Sequence, residues 1–249
     1  MLSFLNIMSG SKGNATLIYD ETTLFMIDMG ASLKALKEGL KEIGRTIDQI
    51  EACFITHEHC DHISGVPYLL DYDIPVYCRE NTPLEGANHF MDGEVFHLGS
   101  FWIAPFPTSH DATDPCGYLI KNGDESLFYM TDTGEVPELA FSMMKNHTYY
   151  VVESNHDLNM LLKSHRPASL KQRIHGDHGH LSNIESVQYM KDCVGDKTKA
   201  VYLAHLSEEC NTDEVALKTY RDVLNENGVD LRKISIRCLH QRSMTHGGD

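Results

Sequence analysis

Short apolar runs separated by turns dominate this chain, and only a few segments carry a helical period. Ala15–Tyr19 and Leu24–Ile27 read as two strands around an Asp20-Glu21-Thr22 turn, a hairpin-like opening. From Ser32 to Ile43 the positions Leu33, Leu36, Leu40 and Ile43 recur at helical spacing, and Gly44 is placed to end the helix. Ala52–Thr56 is a continuous apolar stretch that predicts a buried strand. A helix is expected over Ile63–Leu70, with His62 in its first turn and Pro67 making it short or irregular. Pro75–Cys78, Val95–Leu98, Phe101–Ala104, Gly117–Ile120, Leu127–Met130 and Tyr149–Val152 predict further strands, so the middle of the chain reads as a run of β-hairpins. Two later helices have capping-box spacing, at Ser182-Asn183-Ile184-Glu185 and at Asn211-Thr212-Asp213-Glu214. The strand Ala200–Ala204 lies between them, and Ile234–Arg237 supplies a last one. Strands followed by helices in both halves predict an α/β protein whose sheets carry helices on their outer faces.

The 249 residues are enough for one large core, and no Pro/Ser/Gly tract, charge block or low-complexity segment marks a linker. The expectation is one domain over residues 1–249, with residues 245–249 a disordered tail. No apolar run reaches membrane-spanning length, and Met1–Asn6 lacks the pattern of a secretory signal. Seven scattered cysteines without paired spacing fit a reducing cytoplasm better than a disulfide framework. A formal net charge of -15 disfavours broad attraction to nucleic acid. It does not exclude nucleic acid as a substrate, because bound cations invert the local potential of an acidic site.

The candidate chemistry centres on His57-Glu58-His59-Cys60-Asp61-His62, three imidazoles and two carboxylates in six residues just after a predicted strand. Packed together without a cation, these groups are costly to desolvate. Imidazole and carboxylate suit zinc, manganese or iron, so the cluster predicts a metal centre without naming the metal. Cys60 falls between the ligand positions and reads as a non-ligand. More ligand-capable residues recur where other strands end: His110, Asp132, Glu153, His156, His180 and His205. Any one of them alone is an ordinary hydrogen-bonded loop residue; together they form a coherent set at strand ends, where α/β architectures carry function.

These residues resemble a known pattern. His57-Glu58-His59-Cys60-Asp61-His62 is similar to the HxHxDH signature of the metallo-β-lactamase superfamily, and Asp28 in Asp28-Met29-Gly30 resembles its early Asp-x-Gly. The resemblance implies a four-layer αββα sandwich with two divalent metal ions at one edge. His57, His59 and His110 would hold the first ion, and Asp61, His62 and His205 the second, with Asp132 bridging them and Asp28 orienting a ligand histidine. Ser9–Ala15, Ser109–Ala112, Glu153–Asp157, Gly179–Asn183 and His205–Asn211 resemble the YycJ/WalJ-type branch, which is related to tRNase Z. That branch implies a 5′-to-3′ exonuclease acting on double-stranded DNA. An aspartate at the bridging position, where zinc β-lactamases carry cysteine, argues against antibiotic hydrolysis.

The expected reaction is phosphodiester hydrolysis by a metal-activated hydroxide. Asp61 would aim it, His180 would serve the phosphoryl or leaving oxygen, and Glu153 would fix the tautomer of His180. His156 could contact phosphate, extend the network or cap its loop. The loop Gly10–Asn14 could bind a terminal phosphate through Ser11 and Asn14, or be a tight turn between strands. Lys163, Arg166, Lys171 and Arg173 precede His180 and read as a local phosphate-contacting rim or as the solvated face of a helix. The competing readings are a small-molecule phosphodiesterase for cyclic or nucleotide substrates and a noncatalytic metal-binding regulatory protein.

Overall fold

The computed structural model describes residues 1–248. Two seven-stranded sheets face each other. The first runs β14-β1-β2-β3-β4-β5-β6, from β1 (Ser3–Met8), β2 (Ala15–Tyr19), β3 (Leu24–Ile27), β4 (Cys53–Phe54), β5 (Val76–Arg79), β6 (Asn88–Phe90) and β14 (Thr245–Gly247). The second runs β13-β12-β11-β10-β9-β8-β7, from β7 (Phe96–Leu98), β8 (Phe101–Pro107), β9 (Cys116–Asn122), β10 (Glu125–Met130), β11 (Tyr149–Glu153), β12 (Ala200–Ala204) and β13 (Ser235–Cys238). The helices are α1 (Leu33–Glu42), α2 (Cys60–Ile63), α3 (Val66–Asp71), α4 (Glu138–Met143), α5 (Leu158–Lys163), α6 (Ala168–Ile174), α7 (Asn183–Met190) and α8 (Asp213–Glu226).

Alternation along each strand builds three cores. In β3, Phe25 and Ile27 enter the core between the sheets, while Leu24 and Met26 enter a second core on the outer face shared with Leu36 and Leu40 of α1. In β11, Tyr149 and Val151 face the first sheet, while Tyr150 and Val152 pack with Val187 of α7 and Tyr220 of α8. Both sheets are therefore covered on both faces, which makes the αββα sandwich.

Of the expected run of hairpins, only β7 to β10 are antiparallel; the segments expected at Pro75–Cys78 and Tyr149–Val152 become β5 and β11, which lie parallel to their neighbours, as do β12 and β13. Strands β1 and β6 are not among those expected, and four further features depart from the sequence reading. The tail does not dangle: Thr245–Gly247 pairs with β1, Phe4 opposite Gly247, and Asp249 lies outside the described residues. The helix expected over 63–70 is two, α2 and α3, because Gly65 turns the chain against Ala31, where an added Cβ would lie 2.4 Å from the carbonyl oxygen. The cap of α8 is Thr212, whose hydroxyl accepts from the Val215 amide, rather than Asn211. Buried Asn211 instead donates to the carbonyls of Ser154 and Asn155. Helices α4 and α5 are unforeseen, being only six residues long and too short to show a period, whereas α6 lies in the Lys163–Arg173 segment for which a helix is one of two readings.

Candidate metal centre

The histidine loop leaves the end of β4 and enters α2 with His59 as the residue before its first turn, so Asp61 and His62 sit within that turn. The loop is held from behind. The Asn14 amide donates to the Asp61 carbonyl (2.7 Å), and Gly30 passes so close that a Cβ there would meet the same oxygen at 1.6 Å. Only glycine allows that approach. Asp28, fully buried at the end of β3, accepts from the Thr56 amide (2.8 Å) and from Nδ1 of His62 (2.7 Å). This bond fixes the tautomer of His62 and presents its Nε2 to the cleft.

The second sheet delivers its groups singly. In β10, β11 and β12, Met130, Val152 and Leu203 are in register, so the residues that follow emerge along one edge. Asp132 and His205, just past the ends of β10 and β12, have φ of 53° and 56°, and Asp28 in the first sheet has 58°. The left-handed conformation costs a non-glycine residue roughly 1–2 kcal/mol. Here it turns side chains away from the strand direction and into the cleft, and strain of this kind clusters at functional sites. His110 follows β8, with Nδ1 donating to the Gly179 carbonyl (3.0 Å).

Ligand atoms converge in overlapping sets. Those of His57, His59 and His110 lie within 4.8 Å of one another, as do those of Asp61, His62 and His205, and those of His57, His62 and Asp132. Asp132 thereby joins the two triads. Nε2 of His57, Oδ2 of Asp132 and Nε2 of His205 are buried without a hydrogen-bond partner. Orphaned acceptors aimed at one volume are costly unless a cation meets them. The set is a dinuclear divalent-metal centre. Its imidazoles and carboxylates fit zinc, manganese or iron alike.

The electrostatics match. Burial resists charge on His62, but the Asp28 and Asp132 carboxylates outweigh it and push the imidazole up to about 10. His205 is likewise raised despite burial, mainly by Asp132. Burial, reinforced by His62, holds His57 well below the usual imidazole range, and burial also lowers His110. Burial opposes ionisation of Asp132, yet His205 and His62 keep its carboxyl well below the usual range. In the protein without metal, protons therefore occupy part of the charge that cations would take.

Glu153, fully buried at the end of β11, accepts from Nδ1 of His180 (2.7 Å), Nδ1 of His205 (3.0 Å) and the Thr133 amide (2.8 Å). One carboxylate thus holds a ligand histidine and a cavity histidine together. A cavity of about 220 Å³ opens over the centre, lined by His59, Asp61, His110, Asp132, His180 and His205 together with Arg166, Leu170, Arg173 and Ile174. Ser11 also lines it. Asn14 does not: its buried amide nitrogen lies 2.9 Å from Nε2 of His62 and 3.3 Å from Oδ2 of Asp61. His156 does not line the cavity either; it is fully buried against the ring of His175, and neither of its nitrogens has a partner. Cys60 is exposed and in none of the ligand sets. The sequence reading did not foresee Thr56, whose hydroxyl touches Asp28, His57 and His62, or Asn155, whose amide donates to the His205 carbonyl. Neither residue type carries a signal without the fold.

The comparisons agree with this geometry. The profile of the Beta-lactamase superfamily domain matches residues 25–206. The chain is 36% identical to exodeoxyribonuclease YycJ of Bacillus anthracis, over 91% of this chain and 90% of that protein. It is 35% identical to exodeoxyribonuclease WalJ of Streptococcus pneumoniae, over 86% and 84% respectively. Among solved structures, the metallo-β-lactamase fold protein YhfI from Bacillus subtilis superposes with a TM-score of 0.70 at 14% identity, covering 99% of this chain and 100% of that one. The short form of human tRNase Z superposes at 0.65 and 14% identity, with 98% of each chain covered. The chain belongs to the metallo-β-lactamase superfamily, in its YycJ/WalJ-like branch, and is a metal-dependent hydrolase.

Proposed function

We propose that this protein is a phosphodiesterase that degrades double-stranded DNA from its 5′ ends, acting as one domain over residues 1–249. The observation that carries this reading is the Glu153–His180 pair standing over a two-metal centre. His57, His59 and His110 would hold one ion and Asp61, His62 and His205 the other, with Asp132 shared. When bound, two such ions activate water and neutralise the nonbridging and departing oxygens of an in-line displacement. Asp61 accepts a hydrogen bond from the attacking water and orients it. His180 gives Nδ1–H to Glu153, which leaves Nε2 as the atom that donates to the phosphoryl group or protonates the departing oxygen. Asn14 steadies Asp61 and His62 through its side-chain amide rather than meeting substrate. We assign His156 to packing beneath Glu153 and α7, and Ser11 to the wall of the cavity.

The similarity to two exodeoxyribonucleases supports DNA as the substrate. All seven cysteines are free, six of them buried, which supports a cytoplasmic setting. No helix among the described residues is long and apolar enough to cross a membrane. A second reading, hydrolysis of a small diester, is favoured by the cavity, which at about 220 Å³ is below the roughly 300–1,000 Å³ usual for ligand pockets.

The test compares 5′-phosphorylated linear duplex, closed circular duplex and a bis-phenyl phosphodiester, using protein loaded with manganese, zinc or iron. Stepwise loss of nucleotides from 5′ ends is expected, with closed circles intact and activity abolished in Asp61→Ala and His180→Ala. Turnover of the small diester alone would replace this reading with the second. No turnover of any substrate by protein holding two metals per chain would end both.

A further inference from the structure

Part of the cavity wall is built from α6 and from Arg166 just before it, and it carries two arginines in an otherwise acidic protein. Four basic residues precede His180, but the fold uses them differently. Nζ of Lys171 donates to the carbonyls of Leu162 and Ser164, closing the end of α5, so Lys171 is committed to structure. Arg166 and Arg173 line the cavity instead.

Both arginines are held by single carboxylate contacts. Nε of Arg166 donates to Glu209 (2.9 Å), with Ser207 at 3.4 Å from its NH2 group. Nε of Arg173 donates to Oδ2 of Asp111 (2.5 Å), whose other oxygen lies 3.3 Å from Nε2 of the ligand residue His110. A guanidinium has five N–H donors in a fork, and each of these carboxylate contacts engages only one of them. Partly exposed pairs of this kind hold weakly. Phosphate, with more charge and more oxygens, engages the fork bidentately and displaces a carboxylate. Glu208, next to Glu209, holds Lys12 and Arg242 in the same way. The loop after β12 thus holds one cavity arginine, Arg166, with a carboxylate, and the loop after β8 holds the other, Arg173.

A cavity of about 220 Å³ does not admit a duplex, and on the proposed exonuclease function the part of the DNA that reaches it is the end of one strand. We propose that Arg166 and Arg173 are the receptor for the 5′-terminal phosphate of that strand, and that Glu209 and Asp111 stand in for the phosphate in the free protein. This deepens the proposed exonuclease function and rests on it for the identity of the strand. The receptor explains how an acidic protein selects an end: the phosphate exchanges with a resident carboxylate instead of approaching a bare positive surface.

The test is the affinity of a hairpin duplex with one open end, bearing either a 5′-phosphate or a 5′-hydroxyl, followed by fluorescence anisotropy of a label in the hairpin loop. The wild type is expected to prefer the phosphate by roughly tenfold, and Arg166→Ala and Arg173→Ala to reduce that preference below about threefold. Arg173→Lys, which keeps the charge and loses the fork, falls between. Glu209→Gln is the sharper variant. It should raise the phosphate preference above that of the wild type, whereas the charge-matched control Glu38→Gln on α1 strengthens binding of both ends equally. Thermal melting confirms that each variant is folded. Equal affinity of the wild type for both ends, an unchanged preference in both alanine variants, or a Glu209→Gln variant no different from the control would overturn the receptor. Hydrolysis by manganese-loaded protein is measured in parallel. Cleavage without end preference removes the receptor and leaves the phosphodiesterase; arginine-dependent end preference without cleavage of DNA or the small diester does the reverse.

Discussion

The two halves of the metal centre are made in different ways. The first sheet delivers four ligand candidates from one six-residue loop, His57 to His62, with its cysteine turned to solvent. The second sheet and its loops deliver His110, Asp132, Glu153, His180 and His205 one at a time, from positions spread over more than ninety residues. In the first half, spacing along the chain sets the geometry, and the fold needs only to hold the loop from behind with Asn14, Asp28 and Gly30. In the second half, the register of parallel strands sets it, and left-handed turns at Asp132 and His205 aim the side chains. A compact motif concentrates ligands; a distributed set joins and orients them. The shared group, Asp132, comes from the distributed half.

The comparison is broken most severely at that shared residue. Asp132→Ala is expected to lower bound metal from two ions per chain to one or none by elemental analysis. Activity should fall by more than the ~10–100-fold that loss of an outer partner costs. Two ions retained at normal affinity would show that the halves are independent. A smaller break targets the support of the compact half: Asp28→Asn removes the carboxylate from Nδ1 of His62 and is expected to weaken metal binding ~10–100-fold, read by competition with a chelator. An unchanged affinity would mean that the loop supports itself.

Away from the metals, buried His156 sharpens the contrast through pH. Burial lowers its imidazole from 6.5 to about 4. Above pH 6.5 the ring is neutral in both folded and unfolded chains, and stability is complete. Below 6.5 the unfolded chain takes up the proton first, so stability is lost as pH falls toward about 4, by on the order of 3 kcal/mol at most. His156→Leu should flatten this part of the profile relative to wild type in urea titrations; an identical slope would contradict it. The smallest effect separates a cap from a buried strut. Thr212→Ala should cost ~1 kcal/mol as the loss of a helix cap. Asn211→Ala should cost more, because two buried carbonyls lose their donor. Equal losses in melting experiments would return the cap to Asn211.

Much of this protein was legible in its residues. Strands such as Ala15–Tyr19, Leu24–Ile27 and Ala200–Ala204 declare themselves because both faces are buried and the runs are continuous. Ser182 declares its helix because the capping box is a local bond between neighbours in sequence. The histidine loop declares a metal centre for the same reason, since its spacing is its geometry. What the sequence by itself determined was therefore local: element periods, one cap and one compact ligand motif. Tertiary structure decided the rest. It recruited the tail as a strand beside β1, moved the α8 cap by one residue, and split a helix where Gly65 meets Ala31. It placed the Asn14 amide against His62 and let Glu153 hold both His180 and His205. It also chose Arg166 and Arg173, out of four basic residues, to face the cavity. Each of these depends on which segments the fold brings within reach, and pairings between segments distant in the chain leave no periodic trace in it.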